Sequence, residues 1–103
     1  MRDLRQYPRV TLRITAWCEG DRWTQRAAIV DVSEGGLRVR GCPAQPAGSR
    51  LKVSFRDPEG GAVVVTTEVV WSIDGKRPEN GVRFVELHEG EPVLNRILAA
   101  HRS

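Results

Sequence analysis

Apolar and polar residues alternate along most of this chain with a period of two. The pattern is clearest in "VTLRITAWC", from Val10 to Cys18. Successive side chains of a β-strand point to opposite faces, so this period indicates a strand with one buried face. The sequence therefore predicts a protein built mainly of half-buried strands.

Turn-forming segments divide the alternation into six strands. The breaks are rich in glycine and proline, as in "GCPAQPAGS", "RDPEGG" and "DGKRPENG". The predicted strands cover residues 10–18, 23–32, 37–40, 51–56, 62–72 and 82–86.

The period changes to that of a helix at the end of the sequence. In "EGEPVLNRILAAHR", Leu94, Ile97, Leu98 and His101 share one helical stripe, and Pro92 suits a first helical turn. Closing a sheet removes its exposed edges, so six short strands favour a barrel. We therefore predict a six-stranded antiparallel β-barrel with a short C-terminal α-helix that caps one end of it.

Length and composition limit the remaining possibilities. The 103 residues suffice for one small domain, with residues 1–9 as a flexible arm and residues 10–103 as the barrel with its helix. No run of eighteen apolar residues and no apolar signal core is present, so a cytoplasmic protein is expected. Cys18 and Cys42 are expected to be two buried thiols, although a single disulfide stays open.

The stretch "DVSEGG", from Asp31 to Gly36, ends the second predicted strand with polar groups. Asp31 can accept hydrogen bonds from a nucleic-acid base, and Ser33 can donate one to a phosphate or a base. Gly36 permits a positive φ or lets a flat ligand lie against the backbone. The same residues also fit the cap of a turn, so this stretch alone leaves both readings open.

Two arginines precede the first strand in "RQYPR". Arg5 and Arg9 lie four residues apart, and Pro8 biases Tyr7 toward an extended conformation. An extended step of four residues spans roughly 13 Å. Two guanidinium groups so placed would suit two separate groups of one large anionic ligand.

Taken together, an RxxxR arm and a [DN]xSxxG strand end resemble the PilZ domain. The resemblance covers nearly the whole chain, and "GVRFVEL" (81–87) is similar to the last barrel strand of that family. It implies a six-stranded barrel with a C-terminal helix, and a bacterial, cytoplasmic, non-enzymatic receptor for cyclic di-GMP. The residues that carry it are Arg5, Arg9, Val10, Asp31, Ser33, Gly36 and Leu37.

The resemblance also implies a role for each site residue. Arg5 and Arg9 would hold phosphates and the Hoogsteen edges of guanine. Asp31 would accept hydrogen bonds from the N1/N2 edge, and Ser33 would bond a base or a phosphate. Gly36 would leave room for the ring. Binding would draw the arm onto the barrel and so change its surface, with no cofactor besides the ligand.

Four further positions, Leu4, Trp71, Trp17 and Trp23, carry expectations of their own. Leu4 stands where many relatives have another arginine for a second ligand molecule, so we expect one cyclic di-GMP per domain unless Arg2 compensates. Trp71 is similar to a tryptophan that stacks on guanine in some relatives, but its parity with the valines of its strand fits the core equally well. Trp17 and Trp23 are expected to pack.

Other functions remain to be weighed. One is a protein–protein adaptor that keeps the fold without the ligand; another is a barrel that binds single-stranded nucleic acid, although aromatic residues make up only 6% and no aromatic–basic strand face is evident. An enzyme is not expected, because no histidine lies near Asp31 and Ser33 in sequence. The two cysteines and two histidines also lack metal-site spacing.

We expect cyclic di-GMP and an unidentified downstream protein as partners, but neither a membrane nor a nucleic acid. Nothing in the sequence distinguishes a monomer from a homodimer.

Overall fold

The computed structural model describes residues 10–100, with side chains from residue 13 onward. Every pair of neighbouring strands is antiparallel, and the sheet closes on itself in the order β1-β2-β3-β6-β5-β4. This confirms the six-stranded barrel with a short C-terminal helix. The elements are β1 (Val10–Glu19), β2 (Thr24–Val32), β3 (Gly36–Arg40), β4 (Arg50–Arg56), β5 (Ala62–Ile73), β6 (Glu79–Glu89) and α1 (Glu91–Ala100).

Strand β6 is longer than its sequence predicts. The segment "ENG" was expected to be part of a turn, yet Glu79 and Asn80 pair with β3 on one side and with β5 on the other. Asparagine and glycine are poor strand formers, but pairing on both sides outweighs that weak preference. The expected turn therefore ends before Glu79, and Gly81 lies inside the strand.

The inward faces of the strands form one hydrophobic core, and Leu94 and Ile97 of α1 belong to it. The helix is also held to the β4–β5 turn, because Arg96 donates a hydrogen bond of 2.7 Å to the carboxylate of Asp57. Residue His101 of the predicted stripe lies outside the described residues. The helix thus covers the end of the barrel at which β4 and β5 are joined.

Cys18 and Cys42 are both buried and both free thiols, as expected. They are hydrogen-bonded to each other, and this bond together with burial raises the pKa of Cys18. The amide of Asn80 lies 3.4 Å from the sulfur of Cys42. The same amide donates to the carbonyl of Pro43, and its oxygen accepts from the backbone N–H of Gln45. Asn80 therefore fastens the β3–β4 loop to the barrel.

The expectation that Trp17 packs was wrong. Trp17 is 51% exposed, because it lies between the inward residues Ala16 and Cys18 and so points out of the barrel. Trp23 does pack against the core, as expected, with its indole beside Gly20. No helix among residues 10–100 has the length and apolar character needed to cross a membrane.

Candidate ligand-binding site

A shallow pocket opens on the outer surface of the barrel where β2 ends and β3 begins. Its volume is about 250 Å³. The structure thus brings together four of the residues singled out in the sequence: Asp31, Ser33, Gly36 and Trp71. The remaining three, Leu4, Arg5 and Arg9, lie outside the described residues.

Four pocket residues lie directly opposite one another on neighbouring strands. Asp31 on β2 pairs with Arg38 on β3, and Arg38 pairs with Gly81 on β6. Gly81 in turn pairs with Trp71 on β5. We call Asp31, Arg38, Gly81 and Trp71 the cross-strand row. Three strand spacings separate its ends, a distance of about 14 Å.

A β-bulge in β2 directs Asp31 into this row. The pairing of β2 with β3 is irregular between Ile29 and Asp31, and both Ile29 and Val32 belong to the core. Strict alternation from Ile29 would send Asp31 inward, whereas the bulge sends it to the outer face. Its carboxylate therefore borders the pocket although little of the residue is exposed.

A second bulge does the same for Trp71. The pairing of β5 with β6 is irregular between Val69 and Trp71, and Val69 is a core residue. Trp71 consequently points to the outer face rather than inward like Val69, and it is 39% exposed at the pocket. Of the two expectations for this tryptophan, core packing does not hold. Its indole lies beside Gly81, so closely that a Cβ on that glycine would overlap the ring.

The hydroxyl of Ser33 takes part in the turn that joins β2 to β3. The backbone N–H of Ser33 donates to the carbonyl of Gly36 at 2.9 Å, and its Oγ accepts from the N–H of Gly35 at 3.3 Å. The turn-cap reading of this serine is therefore correct for its local structure. One side of the residue still borders the pocket, so its oxygen retains acceptor capacity there.

Gly36 is required by the barrel itself. A Cβ at this position would overlap the backbone carbonyl oxygen of Val82 on β6. Gly35, one residue earlier, has no atom of the described residues within 4 Å of where its Cβ would be. The resemblance explained Gly36 by the ligand, and the structure adds the close approach of β3 to β6.

Arg38 is a pocket residue that the sequence reasoning missed. Its Nε is buried and has no hydrogen-bond partner among the described residues, and it lies 3.7 Å from a carboxylate oxygen of Glu79. The other oxygen of Glu79 accepts from Nε of Arg40 at 2.8 Å. The signal that identifies Arg38 is the register of the β2–β3 hairpin, which places it opposite Asp31.

The pocket thus combines the acceptor oxygens of Asp31, the donor groups of Arg38 and the aromatic plane of Trp71. Arg83 also borders it and is ion-paired with Glu68. Over the described part of the chain, histidine, cysteine, aspartate and glutamate do not form a group of three or more that could hold a metal ion. What the pocket is equipped to hold is a flat ligand with hydrogen-bonding edges and negative charge.

Comparison with known structures gives the fold of two relatives. The Bacillus subtilis inhibitor of motility MotI/DgrA superposes with a TM-score of 0.76 at 16% identity, over 96% of this chain and 50% of that one. The chain therefore spans half the length of that protein. The PilZ domain of YcgR from Escherichia coli, solved with c-di-GMP, superposes with a TM-score of 0.63 at 22% identity, over 94% of this chain and 87% of that one.

None of the curated proteins compared with the chain matches it. A family model does: the PilZ domain model matches residues 3–100. This match, together with the closed barrel and its C-terminal helix, shows that the chain belongs to the PilZ domain family.

Proposed function

We propose that this domain is a non-enzymatic receptor for cyclic di-GMP in the bacterial cytoplasm. The ligand would bind between the N-terminal arm, with Arg5 and Arg9, and the cross-strand row. The observation that carries the proposal is the row itself, which aligns Asp31, Arg38 and Trp71 on one outer face. The YcgR PilZ domain solved with c-di-GMP supports the choice of ligand.

Each end of the row suits a different part of a guanine. The carboxylate of Asp31 would accept hydrogen bonds from guanine N1–H and N2–H, which adenine does not offer in the same pattern. The indole of Trp71 would stack on a base, and the flat backbone at Gly81 lets that indole lie low on the sheet.

Arg38 lies between these two ends and extends the set of proposed ligand contacts. Its Nε is buried 3.7 Å from Glu79 and has no hydrogen-bond partner among residues 10–100, but about a third of the side chain is exposed, so the guanidinium would donate to a ligand oxygen from its accessible part. Ser33 would bond a base or a phosphate at the rim, and Gly36 would let the ligand approach the backbone.

The size of the pocket supports a role for the arm. Sites for compact ligands usually measure roughly 300–1,000 Å³, whereas this pocket holds about 250 Å³ and is open to solvent. A dinucleotide would therefore need a second wall. Arg5 and Arg9 would supply it by holding phosphates and Hoogsteen edges through charge-assisted hydrogen bonds. Closing the arm on the ligand would change the surface offered to a partner.

A calorimetric titration of the purified domain with cyclic di-GMP tests the proposal. We expect saturable binding with one ligand per domain, because Leu4 replaces the arginine that would hold a second molecule. Cyclic di-AMP should not bind, and Arg9→Ala should abolish binding while the melting temperature stays nearly unchanged. Absence of heat at tens of micromolar ligand would overturn the proposal and favour an adaptor without a ligand.

A further inference from the structure

We infer that the outer surface of β1, β2 and β4 around Trp17 binds an acidic, partly apolar segment of a partner protein. This inference does not depend on cyclic di-GMP binding. Trp17 is 51% exposed, whereas Ala16 and Cys18, its neighbours along the strand, are fully buried. A large aromatic side chain held at the surface is typical of a protein interface.

Arginines surround this tryptophan. Arg26 on β2 and Ser54 on β4 lie directly opposite Trp17. Arg13 on β1 and Arg56 on β4 are exposed on the same outer face, because each is an even number of residues from Trp17 or Ser54 on its own strand. We call Trp17, Arg13, Arg26 and Arg56 the Trp17 face.

The arginines of the Trp17 face are not neutralised within the barrel. None of them forms an ion pair with a residue that the structure describes, whereas Arg38, Arg40, Arg83 and Arg96 all do. Three guanidinium groups without an ion-pair partner among residues 13–100 surround one indole and give the surface a positive potential, which complements an acidic partner.

A groove of about 600 Å³ runs along this face. Two arginines and Trp17 border it, and apolar atoms come from Ile14, Pro58 and Ala62. The part of the chain with described side chains contributes no acidic residue to its lining. A single indole with apolar neighbours suits a peptide that carries both acidic and apolar side chains. Single-stranded nucleic acid is usually held by several stacked aromatic residues, and this face has only one among its described residues.

The face also corrects one expectation from the sequence, which found no aromatic–basic strand surface. The arginines come from three strands, so only the barrel brings them together. Arg13 and Trp17 lie on β1, the strand that follows the proposed ligand-binding arm, and the groove does not include any of the cross-strand row.

The test uses fluorescence anisotropy with a labelled peptide that alternates glutamate and leucine. The full chain should bind it, and a peptide with lysine in place of glutamate should not bind. Trp17→Ala and the Arg13→Glu/Arg56→Glu double variant, which changes the two arginines that border the groove, should each weaken binding by about tenfold or more. Arg50→Glu is the control, because Arg50 is exposed on β4 but lies outside the groove.

Circular dichroism establishes that each variant is folded, and the exposure of all four side chains makes retention of the fold the expected result. Equal weakening by Arg50→Glu and by the Arg13→Glu/Arg56→Glu double variant would reduce the effect to net charge and overturn the inference. So would failure of the acidic peptide to bind, or its displacement by a short oligothymidine that binds more tightly. Addition of cyclic di-GMP is not required for the expected binding.

Discussion

The indole of Trp71 rests on the backbone of Gly81, across the β5–β6 pair, with no space for a Cβ between them. The contact fixes the height of the aromatic ring above the sheet at one end of the cross-strand row. A glycine inside a paired strand is unfavourable by itself, and here it admits the ring of a neighbouring strand.

Gly81→Ala should therefore displace the Trp71 indole and weaken cyclic di-GMP binding. The obstacle to the new methyl group is a side chain that can rotate, so the cost in stability should be roughly 1 kcal/mol. Gly35→Ala is the control in the same pocket, because nothing lies within 4 Å of its Cβ position. Titration calorimetry and tryptophan fluorescence measure both effects, and unchanged affinity in Gly81→Ala would contradict the role given to this contact.

Gly36→Ala should act on the barrel rather than on the ligand alone. Its methyl group would meet the carbonyl oxygen of Val82, and a paired backbone cannot move away without breaking the β3–β6 ladder. We expect a loss of about 1–3 kcal/mol in the free energy of unfolding. Urea denaturation should show this loss for Gly36→Ala and almost none for Gly35→Ala. Equal stability of the two variants would mean that the glycine is needed only for ligand approach.

Asn80→Ala should destabilise the domain by about 1–3 kcal/mol. The buried amide satisfies the N–H of Gln45 and the carbonyl of Pro43, and its removal leaves both without that partner. Asn95→Ala is the matched control, since Asn95 is exposed on α1. Thermal unfolding followed by circular dichroism compares them, and a similar melting temperature for both would refute an anchoring role for Asn80.

The sequence predicts the barrel and half of the site. It does not predict the direction in which individual side chains point. Alternation located all six strands, and "DVSEGG" marked the correct strand end. Alternation alone nevertheless sends Asp31 and Trp71 inward, because neither β-bulge has a signature in the sequence. Each bulge depends on how two strands pair, and such pairing is a long-range property.

Other differences have the same origin. Asn80 and Gly81 are residue types that favour turns, but their place between β3 and β5 makes them strand residues. Arg38 carries no motif, and only the hairpin register places it beside Asp31. The exposure of Trp17, in contrast, was predictable, because it alternates with the inward residues of β1. The expectation of packing gave the hydrophobicity of the indole more weight than this alternation.

The thiol pair predicts a pH dependence of stability. Hydrogen bonding to Cys42 and burial raise the pKa of Cys18, so the folded state keeps this proton while the unfolded chain loses it above about pH 8.5. The same bond lowers the pKa of Cys42, so above this pH both states have lost the Cys42 proton and Cys18 alone sets the difference. In that range the folded state binds more protons than the unfolded state, and stability falls as pH rises, by at most about 1.4 kcal/mol per pH unit.

Urea denaturation under reducing conditions between about pH 8 and pH 10 measures this slope. Cys18→Ala should show a smaller decline than the wild type, because one of the titrating thiols is gone. Equal slopes for the two proteins would exclude a contribution of Cys18 to the pH dependence.

The proposed function requires that the cross-strand row form the guanine-binding wall of a cyclic di-GMP receptor. Calorimetric titration of Trp71→Ala and Trp17→Ala beside the wild type tests it most directly, because both tryptophans are exposed and only Trp71 lies in the row. Base stacking on an aromatic ring contributes about 1–3 kcal/mol, so Trp71→Ala should lose roughly fivefold or more in affinity while Trp17→Ala binds like the wild type. Wild-type affinity in Trp71→Ala, or equal losses in both variants, would show that the row does not bind guanine.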